Sequence, residues 1–480
     1  MRNSLIALAL LTACGPTTTS SPSSSAMGTS SASANPTSSA TARPTPTPSA
    51  SVEEESEGPP TDEGAYGSLV DEKEFGAAVS VLPPSAFADP PAKPGGAVPA
   101  QVLLTNLPAI SRQGTKKGPG YPGSCEAQSF GYGLGSYTAA RALDGHALWD
   151  ASLPENEPSA AFLYAWLHKI AHQKCGDGSG ATQYLSRLVS LGAPSVEDVP
   201  YKPACPYLAG DSYLDKPFGG EDRLRIGSFA TFSINKNKLS FLKELLAGGQ
   251  AVAFSGLVIK GFNTIPLDTG VVYSTETYPK SGHGMLLVGY DDARGRPDKP
   301  GAFLIQNSFG PDWPSPGAGG RVWYSYDTFL TTQFLGATAY PRDPSPPKGQ
   351  MLKGAPGAPA ASITRAFQWT PDARTVLVLM HHFAEPLLMK SITLTGPGGK
   401  SVTGTLNQFI QSGYTHFARS DGKSFALGDW KVVITGEDAA GAAVTYEGTV
   451  KLGAPSPEAR PASALEGAIA GPTGAPATLK

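Results

Sequence analysis

The chain has 480 residues and a formal net charge of −3, with 16 % charged residues, so it lacks the basic stripe that a nucleic-acid binder carries. Glycine (56) and proline (45) make up about a fifth of it, against a usual share of about 12 %. The four cysteines, Cys14, Cys125, Cys175 and Cys205, are too few for a disulfide-dense scaffold or a multi-cysteine zinc module.

The chain starts with Met1-Arg2-Asn3, a short apolar run over 5–11, and Leu11-Thr12-Ala13-Cys14. One positive charge, a short apolar core and small residues describe a secretory signal, and the run is too short to span a bilayer. Leu-Thr-Ala-Cys resembles the lipobox of bacterial lipoproteins. That resemblance implies a signal peptide over 1–13 and a diacylglyceryl group on the Cys14 sulfur, anchoring the chain to a membrane of the cell envelope, either the outer membrane or the cell surface. Gly15 follows, so no Asp is present to suggest inner-membrane retention. Residues 14–96 are dominated at first by Ser, Thr, Pro and Ala; they bury too little apolar surface to fold and are expected to act as a tether.

The central region, 97–340, has three anchors. The first is Gln113, followed by Pro122-Gly123-Ser124-Cys125-Glu126-Ala127-Gln128-Ser129, with Ala127, Phe130, Leu134 and Tyr137 at helical spacing. Cys125 is therefore expected at a helix N-terminus, where the dipole and free N–H groups favour a thiolate. The second anchor is Ser281-Gly282-His283-Gly284-Met285-Leu286-Leu287-Val288-Gly289-Tyr290, with His283 opening an apolar strand. The third is Phe303-Leu304-Ile305-Gln306-Asn307-Ser308-Phe309-Gly310, with Asn307 closing a strand. The turn-rich Arg294-Gly295-Arg296-Pro297-Asp298 between them predicts a hairpin that brings His283 to Asn307. A cysteine, a histidine and an asparagine are a thiol nucleophile, its base and the group that orients the base.

This region resembles the papain-like cysteine peptidases. Gly-Ser-Cys-Glu-Ala-Gln-Ser is similar to the family's Gly-Ser-Cys-Trp-Ala-Phe-Ser. His283-Gly-Met-Leu-Leu-Val-Gly-Tyr is similar to its His-Ala-Val-x-x-Val-Gly-Tyr, and Asn307-Ser-Phe-Gly to its Asn-Ser-Trp-Gly, in the same chain order. Weaker matches are Cys175-Gly-Asp-Gly178 to a Cys-x-Gly-Gly turn, Val196-Glu-Asp-Val-Pro-Tyr201 to an Asp-Tyr-Pro-Tyr stretch, and Gln250-Ala-Val-Ala-Phe254 with Phe262 and Gly270-Val-Val-Tyr273 to the approach to the histidine.

The resemblance implies an α+β fold of two lobes, one helical and one β-barrel-like. It implies Cys125 as nucleophile, His283 as its ion-pair partner and acid, and Asn307 as the group that orients His283. Gln113 is the expected oxyanion donor, Phe309 the shield of the His–Asn bond, and Gly178 and Gly282 the substrate-binding glycines. The expected reaction is peptide-bond hydrolysis through a thioester. Cys175 and Cys205 have no other partner in an oxidising compartment, and a disulfide between them is expected. No cofactor or metal is expected.

The chain departs from the family in four respects. Gln113 lies twice as far before the cysteine as the family's glutamine, so 116–121 must loop out. Pro122 replaces a disulfide cysteine, Glu126 replaces a tryptophan beside the nucleophile, and no helical pro-segment is visible. A carboxylate at 126 raises the Cys125 pKa if it points inward. Two alternatives follow: a catalytically inactive, surface-binding lipoprotein, and a thiol acyltransferase or transpeptidase.

Other residues read as structural. His168 and His172 lack the glutamate of a zinc-protease helix and are expected as partly exposed helix residues. Asp291 and Asp292 read as a solvated turn, and His381-His382 as a strand pair with one side chain facing water.

After a Pro/Gly-rich linker over 341–360, residues 361–452 show strand-like runs at 375–379, 391–395, 430–434 and 445–450, separated by turns. A small β-sandwich is expected there, with a surface polymer as a further partner, followed by a disordered tail over 453–480. The whole is expected to be a monomer acting on peptides or proteins.

Overall fold

The computed structural model describes residues 98–113, 122–142, 145–171, 178–202, 224–263, 270–343, 347, 349–369, 375–419 and 423–454. All of them belong to one compact unit within Glu57–Lys480. The signal segment, Cys14, the tether, Cys175, Cys205 with the bridge expected between them, and nearly all of the tail lie outside the described residues. Among the described residues no helix is long and apolar enough to cross a membrane.

After the short strand β1 (Gln101–Leu103), a buried helix begins at Cys125. Its stretch Ala127–Leu134 is wound as a π-helix and continues into α1 (Gly135–Ala139). The apolar spacing predicts an α-helix here. Every residue from Ser124 to Ala140 is buried, so no solvent face records the true period. Two further helices, α2 (Ala160–Ala171) and α3 (Thr182–Ser190), pack beside it. The Ser159 hydroxyl accepts the Phe162 N–H and so caps the start of α2.

Against these helices lies a sheet built from β2 (Ser228–Ser233), β3 (Val252–Ile259), β4 (Val271–Val272), β5 (Thr277–Arg296), β6 (Lys299–Gln306), β7 (Arg321–Ser325) and β8 (Gln333–Tyr340). The order is β2-β8-β3-β5-β6-β7-β4, with β1 also on β5; only β4 and β7 pair in parallel. Helices α4 (Leu239–Ala247) and α5 (Tyr326–Thr332) pack on the other face.

The 281–290 stretch of β5 is buried on both faces, as its unbroken apolar run suggests. Leu286 and Val288 join Phe130, Leu134, Tyr184 and Leu188 in the helix-side core. Met285 and Leu287 alternate into a second core with Phe254, Phe303, Ile305 and Phe329. Each such side chain contributes about 1.5–3 kcal/mol by leaving water. The β5–β6 pairing runs out to Arg296 opposite Lys299, leaving Pro297-Asp298 as the turn of the expected hairpin.

The C-terminal region is an antiparallel sheet of β9 (Gln350–Gly354), β10 (Ala361–Trp369), β11 (Thr375–Thr395), β12 (Ser401–Arg419), β13 (Gly428–Glu437) and β14 (Ala443–Leu452). Its order is β10-β9-β14-β13-β11-β12, and β10 also pairs with the first half of β11, which closes the sheet on itself. Strand β9 falls within the expected linker. The strands expected at 375–379 and 391–395 are one strand, interrupted between His382 and Leu387. Both histidines of the pair are buried: His381 Nε2 lies 3.2 Å from Thr415 Oγ1, and His382 Nδ1 lies 3.6 Å from Asp343 Oδ2. The core of this sheet includes Ala230 and Tyr340, so it packs directly on β2 and β8.

Candidate active site

Cys125 stands in the first turn of its helix because Ser124 O accepts the Gln128 N–H and starts the hydrogen-bond ladder. The turn before it is pinned from both sides. The Gly123 N–H donates to Tyr164 Oη at 3.0 Å, and Ser124 Oγ lies 2.6 Å from Tyr201 Oη. Cys125 is a free thiol, fully buried. The N–H groups of Gly284, Glu126 and Cys125 itself are directed at the sulfur and favour the thiolate. Burial opposes them, and the Glu126 charge adds to burial; together they push the thiol well above its ordinary range. The helix N-terminus is thus outweighed, contrary to the expected thiolate.

His283 lies in β5, and the N–H of the next residue, Gly284, is the one directed at Cys125. Asn307 follows the end of β6. The register of Leu286 opposite Gln306 brings the two residues together, with His283 Nε2 2.8 Å from Asn307 Oδ1. The same oxygen accepts the Ser308 backbone N–H at 2.8 Å. A backbone N–H can only donate, so the Asn307 atom facing it is the carbonyl oxygen. The histidine must then donate from Nε2, which leaves the Nδ1 lone pair as the basic site.

The His283 ring is enclosed by aromatic side chains. The Phe309 ring centroid lies 5.0 Å from it and that of Phe262 5.4 Å, and Trp313 lies 5.0 Å beyond Phe262. The Trp313 indole is fixed by donating to Asn263 Oδ1 at 3.1 Å. Phe309, expected as the shield, packs against the His283 ring. The sequence reading quoted Phe262 without a role and did not single out Trp313.

Gln113 reaches this site through backbone pairing. Its N–H donates to Ser308 O at 2.6 Å, and the Ser308 hydroxyl donates to its Oε1 at 2.8 Å. Tyr201 Oη, already bonded to Ser124, donates to Gln113 O at 3.3 Å. One glutamine is therefore tied both to the residue after Asn307 and, through Tyr201, to the residue before Cys125. The whole 116–121 stretch lies outside the described residues. Gly282 is buried in β5 opposite Leu257. Gly178 is half-buried; its neighbour Ser179 accepts from Tyr184 Oη at 2.7 Å, and the charges of Glu126 and Cys125 reach that phenol.

Two buried polar residues, Glu126 and Gln128, follow Cys125 on its helix. Glu126 accepts from Ser255 Oγ at 2.6 Å. Gln128 lines a small cavity with Ser129, Gly284, Asn307 and Ser308, and both ends of its amide lack a hydrogen bond among the described residues. Elsewhere, His168 is buried, stacked on Tyr164 and bonded to its carbonyl, rather than partly exposed. Asp292 is occupied by Lys243 and Tyr326. Among the described residues, no three His, Cys, Asp or Glu side chains are grouped to hold a metal ion.

No family model matches the chain, and no curated protein matches it. Solved structures similar to it include papain-like cysteine proteases. A digestive procathepsin L 3 from the Tenebrio molitor larval midgut is 16 % identical over 55 % of this chain and 75 % of that one, with a TM-score of 0.34. The cysteine protease and lectin-like domains of Cwp84, a surface layer associated protein of Clostridium difficile, are 16 % identical over 78 % of this chain and 80 % of that one, with a TM-score of 0.38.

Proposed function

We propose that the protein is an exported, lipid-anchored cysteine endopeptidase. The observation that carries this reading is the doubly accepting Asn307 Oδ1, which holds His283 with Nδ1 as its base. The same strand directs the Gly284 N–H at a free thiol. In this reading the helices with Cys125 form one lobe, the sheet with His283 and Asn307 forms the other, and peptide binds in the cleft between them past Gly178 and Gly282. The C-terminal sheet, closed on itself where a two-sheet sandwich was expected, is an accessory module that binds a surface polymer. Export and anchoring rest on the lipobox-like Leu11-Thr12-Ala13-Cys14.

His283 Nδ1 takes the Cys125 proton as the sulfur attacks the scissile carbonyl carbon. The carbonyl oxygen gains the negative charge and accepts from the Cys125 N–H and the Gln113 side-chain amide. Collapse breaks the C–N bond, and the imidazolium gives its proton to the departing amine. Water, deprotonated by His283, then releases the acid from the thioester and restores the thiol. Phe262, Phe309 and Trp313 keep water from competing for the His283–Asn307 bond.

The buried thiol, pushed upward by burial and Glu126, favours a second reading, a papain-like surface-binding lipoprotein without turnover. A thiol-directed epoxide separates the two. The peptidase becomes covalently labelled at Cys125, with labelling lost in His283→Ala; an unlabelled wild-type protein contradicts the peptidase reading.

A further inference from the structure

Asn307 Oδ1 is committed to two donors, His283 Nε2 and the Ser308 N–H. The other end of that amide, Nδ2, is buried and makes no hydrogen bond among the described residues. Gln128 has the same character. It is 2 % exposed, and neither its Oε1 nor its Nε2 has a partner there. Its backbone N–H donates to Ser124 O, which fixes it in the first turn of the nucleophile helix, whereas Asn307 follows β6 in the sheet. Three buried polar atoms from two layers are thus left over. Buried polar groups in folded proteins pair with protein or with ordered water.

The two side chains line one cavity. Ser129, Tyr132 and Ser308 share its wall, and it has room for about one water molecule. The hydroxyl protons of that wall are already placed. Ser129 donates to Cys125 O, Tyr132 to Ala109 O and Glu157 Oε1, and Ser308 to Gln113 Oε1. A water in the cavity accepts the Asn307 Nδ2–H. It also donates to Gln128 Oε1 or accepts from Gln128 Nε2, so the bridge holds for either orientation of the glutamine amide. The oxygens of Ser129 and Ser308 are acceptors for its remaining protons. Two to four polar partners are what an ordered buried water requires.

The bridge has a mechanical consequence. Turning the Asn307 amide about its Cβ–Cγ bond moves both of its ends at once. The His283 ring and the Ser308 N–H both act on Oδ1. Only a partner on Nδ2 holds the amide plane from its other end, and Gln128 is the side chain across the cavity that can supply one through water.

We propose that Gln128 is a positioning residue that locks Asn307 through one ordered water in this cavity, and so keeps Oδ1 in place for His283. The lock itself is a statement about hydrogen bonding; its consequence for turnover rests on the peptidase reading. Gln128 acts through Asn307 and not on the reacting atoms.

The test compares Gln128→Met with Gln128→Ala in the full chain. Methionine keeps the volume of glutamine and removes both polar ends, so the water loses its partner. Alanine opens space behind a polar wall, where a second water takes the place of the amide and keeps Asn307 Nδ2 bridged. The readout is the His283 Nε2–H proton resonance in protein carrying isotopically labelled histidine, identified by its loss in His283→Ala. Bonded to Asn307, that proton exchanges slowly with solvent. Gln128→Met is expected to speed the exchange about 3–10-fold, and Gln128→Ala to leave it within about twofold of wild type. In peptide hydrolysis kcat is expected to fall about 3–10-fold in Gln128→Met, with KM little changed. A role in packing alone gives the opposite order, because alanine removes more buried volume. Unchanged exchange in Gln128→Met, exchange in Gln128→Ala as fast as in Gln128→Met, or an unprotected Nε2–H in the wild type overturns the lock. Because the resonance needs no turnover, the expected exchange pattern in a protein that cleaves no peptide keeps the lock and removes the peptidase. Unchanged exchange in an active protein does the reverse.

Discussion

Asn307 Oδ1 accepts from His283 Nε2 and from the Ser308 backbone N–H, each at 2.8 Å. The second bond makes the first one directional, since it fixes which end of the amide faces the ring. Replacing Asn307 by Ala frees the imidazole to turn and to exchange tautomers. A loss on the order of 10²-fold in kcat is expected, with KM little changed, measured by steady-state peptide hydrolysis. An unchanged kcat contradicts the orienting role.

Gln113 is held by Ser308 on one side and by Tyr201 on the other. Gln113→Ala removes an oxyanion donor and is expected to lower kcat/KM by about 10²–10³-fold. Ser308→Ala leaves the amide in place but loosens it, so its loss should be smaller than that of Gln113→Ala. The order of the two effects, measured side by side, checks the assignment.

His381 is buried in the C-terminal sheet, and burial, with His382 beside it, lowers its pKa to about 3. The unfolded chain binds this proton near the ordinary histidine value, so between there and about 3 the unfolded state holds more protons than the folded one. Stability is therefore complete above about pH 6.5 and falls as pH drops toward 3. His381→Phe removes the titrating group, and its urea-denaturation midpoint should depend less on pH across that window.

Gly227, just before β2, is a close contact point with the C-terminal sheet. Its N–H donates to Tyr340 O, and its carbonyl accepts from the Gln411 N–H. A Cβ there would stand 2.5 Å from Pro341 O and 2.9 Å from Arg342 Cα, both backbone atoms. Gly227→Ala is expected to open this seam and to raise the rate of limited proteolysis over 341–349, with the peptidase region still folded by circular dichroism.

The site was legible where chemistry and local pattern coincide. Cys125 follows a small-residue turn and opens a helix; His283 precedes the apolar run of β5, within the strand, and Asn307 follows the end of β6, with Pro297-Asp298 as the turn between the strands. What the sequence hides is contact made from afar. The enclosure of His283 by Phe262 and Trp313 depends on loops distant in the chain, and the pairing of Gln113 with Ser308 leaves no local mark. Strand β12 leaves little mark in the sequence because its buried Val402, Ile410 and Phe417 are spread through a run rich in Gly, Ser and Thr. Strand β11 reads as two strands because Glu385-Pro386 interrupts its ladder. The burial of His168, His381 and His382 depends on what covers each face, which no periodicity records.

The central claim is that Cys125 turns over peptide bonds with His283 as its base. Hydrolysis of a mixed fluorogenic peptide library by the full chain, compared with Cys125→Ala across pH 4–8, tests it most directly. Turnover by the wild type that is absent in Cys125→Ala is the expected result. No turnover at any pH, or equal turnover in both proteins, contradicts it.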